Sequence, residues 1–198
     1  MKIGEKGGMV PIISRLVGPF FSRLFPEIPK NHPAIGSIIL NFSANILGLD
    51  NAATPLGLKA MNELQEINPN KDVASNAQIM FLVLNASGLT IIPISVLADR
   101  VVLGSTNPTS IFIPTLIATF FSTFAGLLYV CIRQRIRLLD PVLLAYILGA
   151  VAMVSGTIFY FSRLGPKEIQ EQSSLFTAII IFCIIIAFIA LGIRKRIP

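Results

Sequence analysis

A polar turn within residues 41–60 lies in an otherwise hydrophobic chain and follows an apolar stretch too short to cross a bilayer. That stretch, residues 33–47, is about 15 residues and would reach about 22 Å as a helix, short of a ~30 Å hydrocarbon core. A short apolar helix, a polar turn and a second short helix predict a re-entrant hairpin over residues 33–67. Polar backbone at membrane depth must be buried in protein or line a cavity, so the hairpin indicates a solute site.

The composition indicates a membrane protein. Of 198 residues, 54% are hydrophobic and 13% are charged, and the mean hydropathy is +0.76. Soluble domains carry about 25% charged residues. The net charge of +6 comes from short basic blocks at the ends of apolar runs, the placement that the positive-inside rule describes. We therefore expect an all-α integral membrane protein whose surroundings are a lipid bilayer, with no nucleic-acid partner.

The remaining apolar runs predict about four transmembrane helices beside the hairpin. They cover residues 76–98, 110–132, 141–161 and 175–193. The first of these is interrupted by polar and small residues at 85–90 and by Pro93, which predicts a discontinuous helix. Residues 1–32 predict either an amphipathic helix lying in the membrane interface or the tail of a truncated spanning helix.

The distribution of basic residues predicts the topology. If the hairpin returns to the side from which it enters, residues 1–32, 55–76, 133–140 and 194–198 share one side of the membrane. That side carries thirteen lysines and arginines and the other side carries three. The positive-inside rule then places both termini of this multi-pass protein in the cytoplasm of a bacterial inner membrane.

The hairpin supplies the first group of candidate site residues: Asn41, Asn45, Asp50, Asn51 and Thr54. Amide side chains offer both donors and acceptors, which suits an uncharged polar solute such as a nucleoside or base. An ionisable residue at membrane depth, Asp50, also suggests coupling to Na⁺ or H⁺. In the alternative interpretation these side chains only satisfy the backbone of the turn, with Thr54 or Asp50 as the N-cap of the second arm.

The interrupted helix supplies a second group, Asn85, Ser87 and Thr90. Unwound carbonyls and these side chains could complete a site that faces the hairpin. The alternative is ordinary hydrogen bonding between helices. The sequence contains no nucleophile–base pair, metal-ligand spacing or phosphate-binding glycine loop. We therefore expect a protein that is not an enzyme and has no cofactor beyond a coupling ion.

Two sequence motifs carry a resemblance to a known family. The run N-F-S-A-N-I-L-G-L-D-N-A-A-T-P-L-G-L-K-A-M, residues 41–61, and the run G-P-F-F-S-R-L-F-P-E-I-P-K-N-H-P-A, residues 18–34, resemble the spore maturation protein A family. That family carries the Gate, or nucleoside recognition, domain, which is related to a portion of concentrative nucleoside transporters. The resemblance covers roughly residues 1–135 and implies a Gate domain over residues 33–135, with a role in membrane transport or spore-core maturation.

The rest of the chain, residues 136–198, looks like two helices that lead into the B-type half of a fused spore maturation protein. Family members normally have apolar helices before the position of Met1, so we expect a fragment or truncated gene product. The main functional hypothesis is a transporter-like module that recognises a small polar solute. The alternative is a non-transporting scaffold or sensor that assembles with a spore maturation B-type partner or as a homo-oligomer.

Overall fold

The structure, a computed structural model, is all-helical over the residues that it describes. These are residues 9–29, 31–46, 50–88, 90, 93–165, 167–169, 171–172, 174–176, 178–179, 182–183 and 186, without the side chains of 9–15, 50–52 and 94–95. The helices are α1 (Met9–Leu24), α2 (Pro33–Ile46), α3 (Asp50–Glu66), α4 (Asn76–Ala86), α5 (Ile94–Val102), α6 (Phe112–Arg133) and α7 (Pro141–Ser162), with a 3₁₀ turn at Pro108–Ile111.

Helices α2 and α3 form the predicted helical hairpin and pack along each other's length. The tip, residues 47–49, lies outside the described residues. The second arm begins at Asp50, so the expectation that Thr54 is its N-cap is wrong. Pro55 consequently lies inside the helix, where it has no N–H to donate to the carbonyl of residue 51. Entry and return of the hairpin on one side of a membrane stays a prediction.

A hydrophobic core joins the end of α1 to the base of the hairpin. Phe21, Leu24 and Phe25 are almost fully buried and pack with side chains from α2, α3 and α4. The ring of Phe21 lies 5.0 Å from that of Phe42 on α2. Burial of large side chains in this way is the main stabilising contribution to a fold. The last turn of α1 is therefore fixed to the protein, and both interpretations of residues 1–32 stay predictions.

The predicted interruption of the helix over residues 76–98 is present. Helix α4 begins with a capping box between Ser75 and Gln78 and ends at Ala86, and α5 begins only at Ile94. At ~1.5 Å per residue, α4 reaches about 16 Å and α5 about 13 Å. Neither piece alone crosses a ~30 Å hydrocarbon core.

Helices α6 and α7 are long and apolar enough to span a membrane, and most of their surface is exposed. They begin and end within two residues of the predicted segments 110–132 and 141–161. The N-cap of α7 is Asp140, whose carboxylate accepts hydrogen bonds from Val142 and Leu143. The fourth predicted helix, residues 175–193, lies largely outside the described residues, so the number of four transmembrane helices stays a prediction.

Candidate functional site

Three asparagines connect the hairpin to the broken helix. Nδ2 of Asn45 donates to Oδ1 of Asn85 at 2.9 Å and to Oδ1 of Asn41 at 3.3 Å. Asn41 and Asn45 lie one turn apart on α2, so their side chains share a face, whereas Asn85 comes from the last turn of α4. We call this set Asn41, Asn45 and Asn85 the amide relay. It joins two residues of the first predicted group to one of the second, and the bond between Asn45 and Asn85 spans 40 positions of sequence.

Both ends of the amide relay are fixed by backbone carbonyls. Nδ2 of Asn41 donates to the carbonyl of Ala53 at 2.8 Å, and Nδ2 of Asn85 donates to the carbonyl of Phe81 at 2.9 Å. An amide has one acceptor oxygen and two donor hydrogens. These bonds therefore set the orientation of both outer amides. Among the described residues, Oδ1 of Asn45 has no hydrogen-bond partner, and one N–H of Asn41 and one N–H of Asn85 also have none.

A glycine permits the close approach of Asn41 to α3. A Cβ added at Gly57 would lie 3.0 Å from Nδ2 of Asn41. The absence of a side chain at this position therefore leaves the space that the buried amide of Asn41 occupies. Gly57 was not among the residues predicted from the sequence, although it stands one helical turn after Ala53, the residue whose carbonyl Asn41 contacts.

An open cleft of about 310 Å³ lies beside the amide relay. Its polar lining comes from Asn41, Asn45, Asn85 and Thr54. Its apolar walls, which the sequence analysis missed, come from both sides of the cleft: Leu58 and Met61 on α3 and Phe81 and Leu82 on α4. The structure thus brings four of the eight candidate residues to one cavity.

The other four candidates are placed differently. Ser87 accepts a hydrogen bond from Oγ1 of Thr123 on α6 at 2.9 Å, and the carbonyl of Thr90 accepts one from Thr119 at 3.5 Å. These two residues face α6 rather than the cleft, as expected for bonding between helices. The side chains of Asp50 and Asn51 lie outside the described residues, although their backbone forms the first turn of α3.

The chemistry of the cleft is polar and uncharged. None of the described residues that line it is ionisable. Among the residues that the structure describes, no group of three His, Cys, Asp or Glu side chains is arranged to hold a metal ion. The cleft therefore combines hydrogen-bonding amides with apolar walls, an arrangement typical of small-molecule sites.

Similarity to known proteins covers the part of the chain that builds this cleft. The family model Gate, described as "Nucleoside recognition", matches residues 1–125. Spore maturation protein A of Bacillus subtilis (strain 168) is 46% identical over 128 residues, which are 65% of this chain and 65% of that protein. No solved structure matches the chain. The chain belongs to the Gate, or nucleoside recognition, family and within it to the spore maturation protein A family of membrane proteins.

Proposed function

We propose that this membrane protein recognises a small, uncharged polar solute of nucleoside type in the cleft beside the amide relay. The observation that carries the proposal is the contact between Asn45 and Asn85, which makes one polar surface from the hairpin and the broken helix. A re-entrant hairpin and a discontinuous helix are the elements that form solute sites in many transporters. We propose that the protein is transporter-like and multi-pass, with both termini in the cytoplasm.

The dimensions and lining of the cleft support a solute that has a flat ring and hydrogen-bonding edges. Its volume of about 310 Å³ lies near the lower end of the ~300–1,000 Å³ usual for ligand pockets. Leu58 and Met61 offer aliphatic surface to such a ring, and Phe81, which is 4% exposed, also lines the cleft. Oδ1 of Asn45 is an acceptor, so it favours a solute with an N–H or O–H donor and disfavours a carboxylate at this point.

Coupling to an ion is part of the proposal. Asp50 lies at the start of α3, three residues before Ala53 of the cleft lining, and Na⁺ or H⁺ is the ion proposed for it. A catalytic role is not proposed, because the lining offers amides, one hydroxyl and apolar groups rather than a nucleophile with a base.

A second function, a scaffold or sensor that assembles with a spore maturation B-type partner, is favoured by the rim of the cleft. Leu58 and Leu82 stand on opposite walls and are 64% and 58% exposed. Two exposed leucines beside an open cavity suit a helix that fills the cleft through its apolar face. In this function the amides would contact a partner chain rather than a solute.

The first experiment is a thermal-unfolding screen of the detergent-purified protein against nucleosides, bases and dipicolinate. A ligand at 100 times its Kd stabilises the folded state by about 2.7 kcal/mol. We expect nucleosides to raise the Tm in a concentration-dependent way, and Asn45→Ala to abolish the rise. Asn62→Ala is the matched control, because Asn62 is exposed on the same hairpin and lies outside the cleft lining.

Two results would decide between the proposals. If nucleosides still raise the Tm of Asn45→Ala, the amide relay is not part of the nucleoside site. A flat screen from well-folded protein, together with loss of co-purification of a B-type partner in Asn45→Ala, would favour the scaffold. Uptake of labelled nucleoside by liposomes containing the protein would then separate transport from binding alone.

A further inference from the structure

A second cavity, of about 200 Å³, shares no lining residue with the cleft beside the amide relay. Its walls come from five helices and are apolar except for Thr123 and Tyr146. Phe42 and Leu84 line it, and these residues are sequence neighbours of Asn41 and Asn85. We call this cavity the apolar groove. A nucleoside-like solute needs hydrogen-bonding partners that the groove largely lacks, so its occupant is of a different chemical class.

The groove has a length that suits one leaflet of a bilayer. Along α7 its lining extends from Tyr146 to Val154, eight residues or about 12 Å at the rise of an α-helix. Half of a ~30 Å hydrocarbon core is ~15 Å. The length of the groove therefore matches most of the distance that an acyl chain covers in one leaflet.

One end of the groove lies close to a basic loop. The ring of Phe20 on α1 is 5.3 Å from that of Tyr146, and both residues line the groove at this end. Three residues beyond Phe20, Arg23 pairs with Asp140 at 3.2 Å. Asp140 begins α7 and precedes Tyr146 by six residues, or about 9 Å. The loop between α6 and α7 thus lies just beyond the mouth of the groove.

The loop presents cations that have no partner in the described part of the chain. Arg133, Arg135 and Arg137 are exposed, and no described acidic side chain pairs with them, since Asp140 is engaged by Arg23 and by the cap of α7. Leu139 in the same loop is 84% exposed. Exposed arginines beside an exposed leucine are typical of a segment at the boundary between lipid and water.

The backbone conformation of Arg135 is a further observation that favours a functional role for this arginine. Helix α6 ends with hydrogen bonds from Arg135 N to the carbonyl of Ile132 and from Ile136 N to that of Cys131, and Arg135 has φ of 54°. This is a Schellman motif, in which glycine usually takes the left-handed position. Helix α5 ends in the same way with Gly104, whose φ is 74°. An arginine therefore stands where glycine would be less strained, beside the mouth of the groove.

We propose that the apolar groove and the basic loop together form a binding site for an anionic phospholipid. One acyl chain lies in the groove, and the phosphate of the headgroup contacts Arg135 and Arg137. Basic pockets between membrane helices bind anionic headgroups in this way. The acyl chain in the groove contacts Phe42 and Leu84 and so supports α2 and α4 next to Asn41 and Asn85.

The test compares retention of dioleoyl phosphatidylglycerol and dioleoyl phosphatidylcholine by the purified full chain, measured by native mass spectrometry. The acyl chains are identical, so the difference reports the headgroup. For Arg135→Gly combined with Arg137→Gln we expect about 30-fold weaker phosphatidylglycerol binding, the loss of two basic contacts. Arg163→Gln with Lys167→Gln is the control, because it removes two exposed charges beyond the other end of α7.

Arg135→Gly also separates binding from folding. Because glycine adopts the left-handed conformation without strain, this variant should unfold at a temperature no lower than the original protein in zwitterionic detergent. It should nevertheless bind phosphatidylglycerol about 5-fold more weakly, the loss of one basic contact. A variant that is as stable as the parent and also binds equally well would overturn the proposed headgroup contact.

The groove is tested by filling it. Ala150 lines the groove, so Ala150→Phe should weaken retention of both lipids by more than about tenfold, the equivalent of about two buried methylene groups. Leu148→Phe adds bulk on an exposed face of the same helix and should change nothing. Equal retention of the two lipids by the original protein would overturn the proposal in favour of non-specific lipid binding. Equal losses of phosphatidylglycerol binding after charge removal at either end of α7 would do the same.

Discussion

Replacement of Gly57 by alanine tests the contact that holds the two arms of the hairpin together at the site. The new methyl group would lie 3.0 Å from Nδ2 and 3.8 Å from Cγ of Asn41, which is too close for the amide to stay in place. Asn41 is 2% exposed, so its amide has little room to withdraw. We therefore expect the hydrogen bond to the carbonyl of Ala53 to lengthen or break.

The size of the effect follows from two opposing terms. Alanine is about 1 kcal/mol more favourable than glycine inside a helix. A buried donor that loses its partner costs about 1–3 kcal/mol. The net change expected for Gly57→Ala is therefore a loss of about 0–2 kcal/mol in the free energy of unfolding. Gly36→Ala on α2 meets nothing within 4 Å and should instead gain up to about 1 kcal/mol.

A double-mutant cycle isolates the contact from helix propensity. In an Asn41→Ala background the obstructing amide is gone, so Gly57→Ala should become stabilising, as at Gly36. The effect of Gly57→Ala should thus differ between the two backgrounds by about 1–3 kcal/mol. The assay is denaturant or thermal unfolding of the four proteins in one detergent, with nucleoside-dependent stabilisation measured alongside.

Additivity would refute this reasoning. Changes at independent sites add to within about 0.3–0.5 kcal/mol. If Gly57→Ala has the same effect in both backgrounds within that margin, the amide of Asn41 does not occupy the space above Gly57. The orientation of the whole amide relay would then have to be revised, because that bond fixes its first member.

Two further predictions concern packing and loop structure. A methyl group at Gly126 would lie 2.9 Å from Cγ1 of Val83, an overlap that costs about 1–3 kcal/mol against the gain of about 1 kcal/mol for alanine inside a helix. Gly126→Ala should therefore lower the free energy of unfolding by about 0–2 kcal/mol, and a second change, Val83→Ala, should remove the overlap; an overlap cost that persists in the double variant would contradict the close contact. Asn68 is buried and its Nδ2 donates to the carbonyl of Val73 at 2.8 Å and to Oε1 of Gln78 at 3.1 Å, so Asn68→Ala should lower the free energy of unfolding by about 1–3 kcal/mol and expose the loop after α3 to limited proteolysis. Asp72→Ala, in the exposed part of the same loop, should leave the cleavage rate unchanged.

Local sequence patterns were sufficient to predict the helices that are formed by one uninterrupted apolar run. Helix α7 begins at Pro141, as predicted, because an aspartate cap and a proline at the first turn precede a long apolar run. The interruption near Ser87 was predicted because glycine and proline stand in the middle of an apolar segment. The start of α3 was not predicted correctly. Pro55 favoured a helix that begins at Thr54, whereas the helix begins at Asp50 and Ala53 in its first turns packs against Ala44.

The candidate site depended on contacts that a single sequence does not contain. The pattern grouped Asn85 with Ser87 and Thr90, yet Asn85 turns to the hairpin while the other two turn to α6. Helix α4 ends at Ala86, between Asn85 and Ser87, so helical periodicity does not relate the side chains on the two sides of this point. Tertiary packing sets the orientation of each side chain. The role of Gly57 was missed for a similar reason, because its neighbour Asn41 is sixteen positions away.

The interruption between α4 and α5 has a consequence for the order in which the chain assembles. Ser87 and the carbonyl of Thr90 receive hydrogen bonds from Thr123 and Thr119 of α6, yet both are synthesised before α6 leaves the ribosome. Backbone groups at membrane depth need such partners. We therefore expect the broken segment to gain these partners only after α6 has been synthesised and inserted, so that the end of α4 carrying Asn85 is supported late in assembly. A nascent chain released before α6 would carry all three residues of the amide relay without the hydrogen bonds that α6 gives to Ser87 and Thr90.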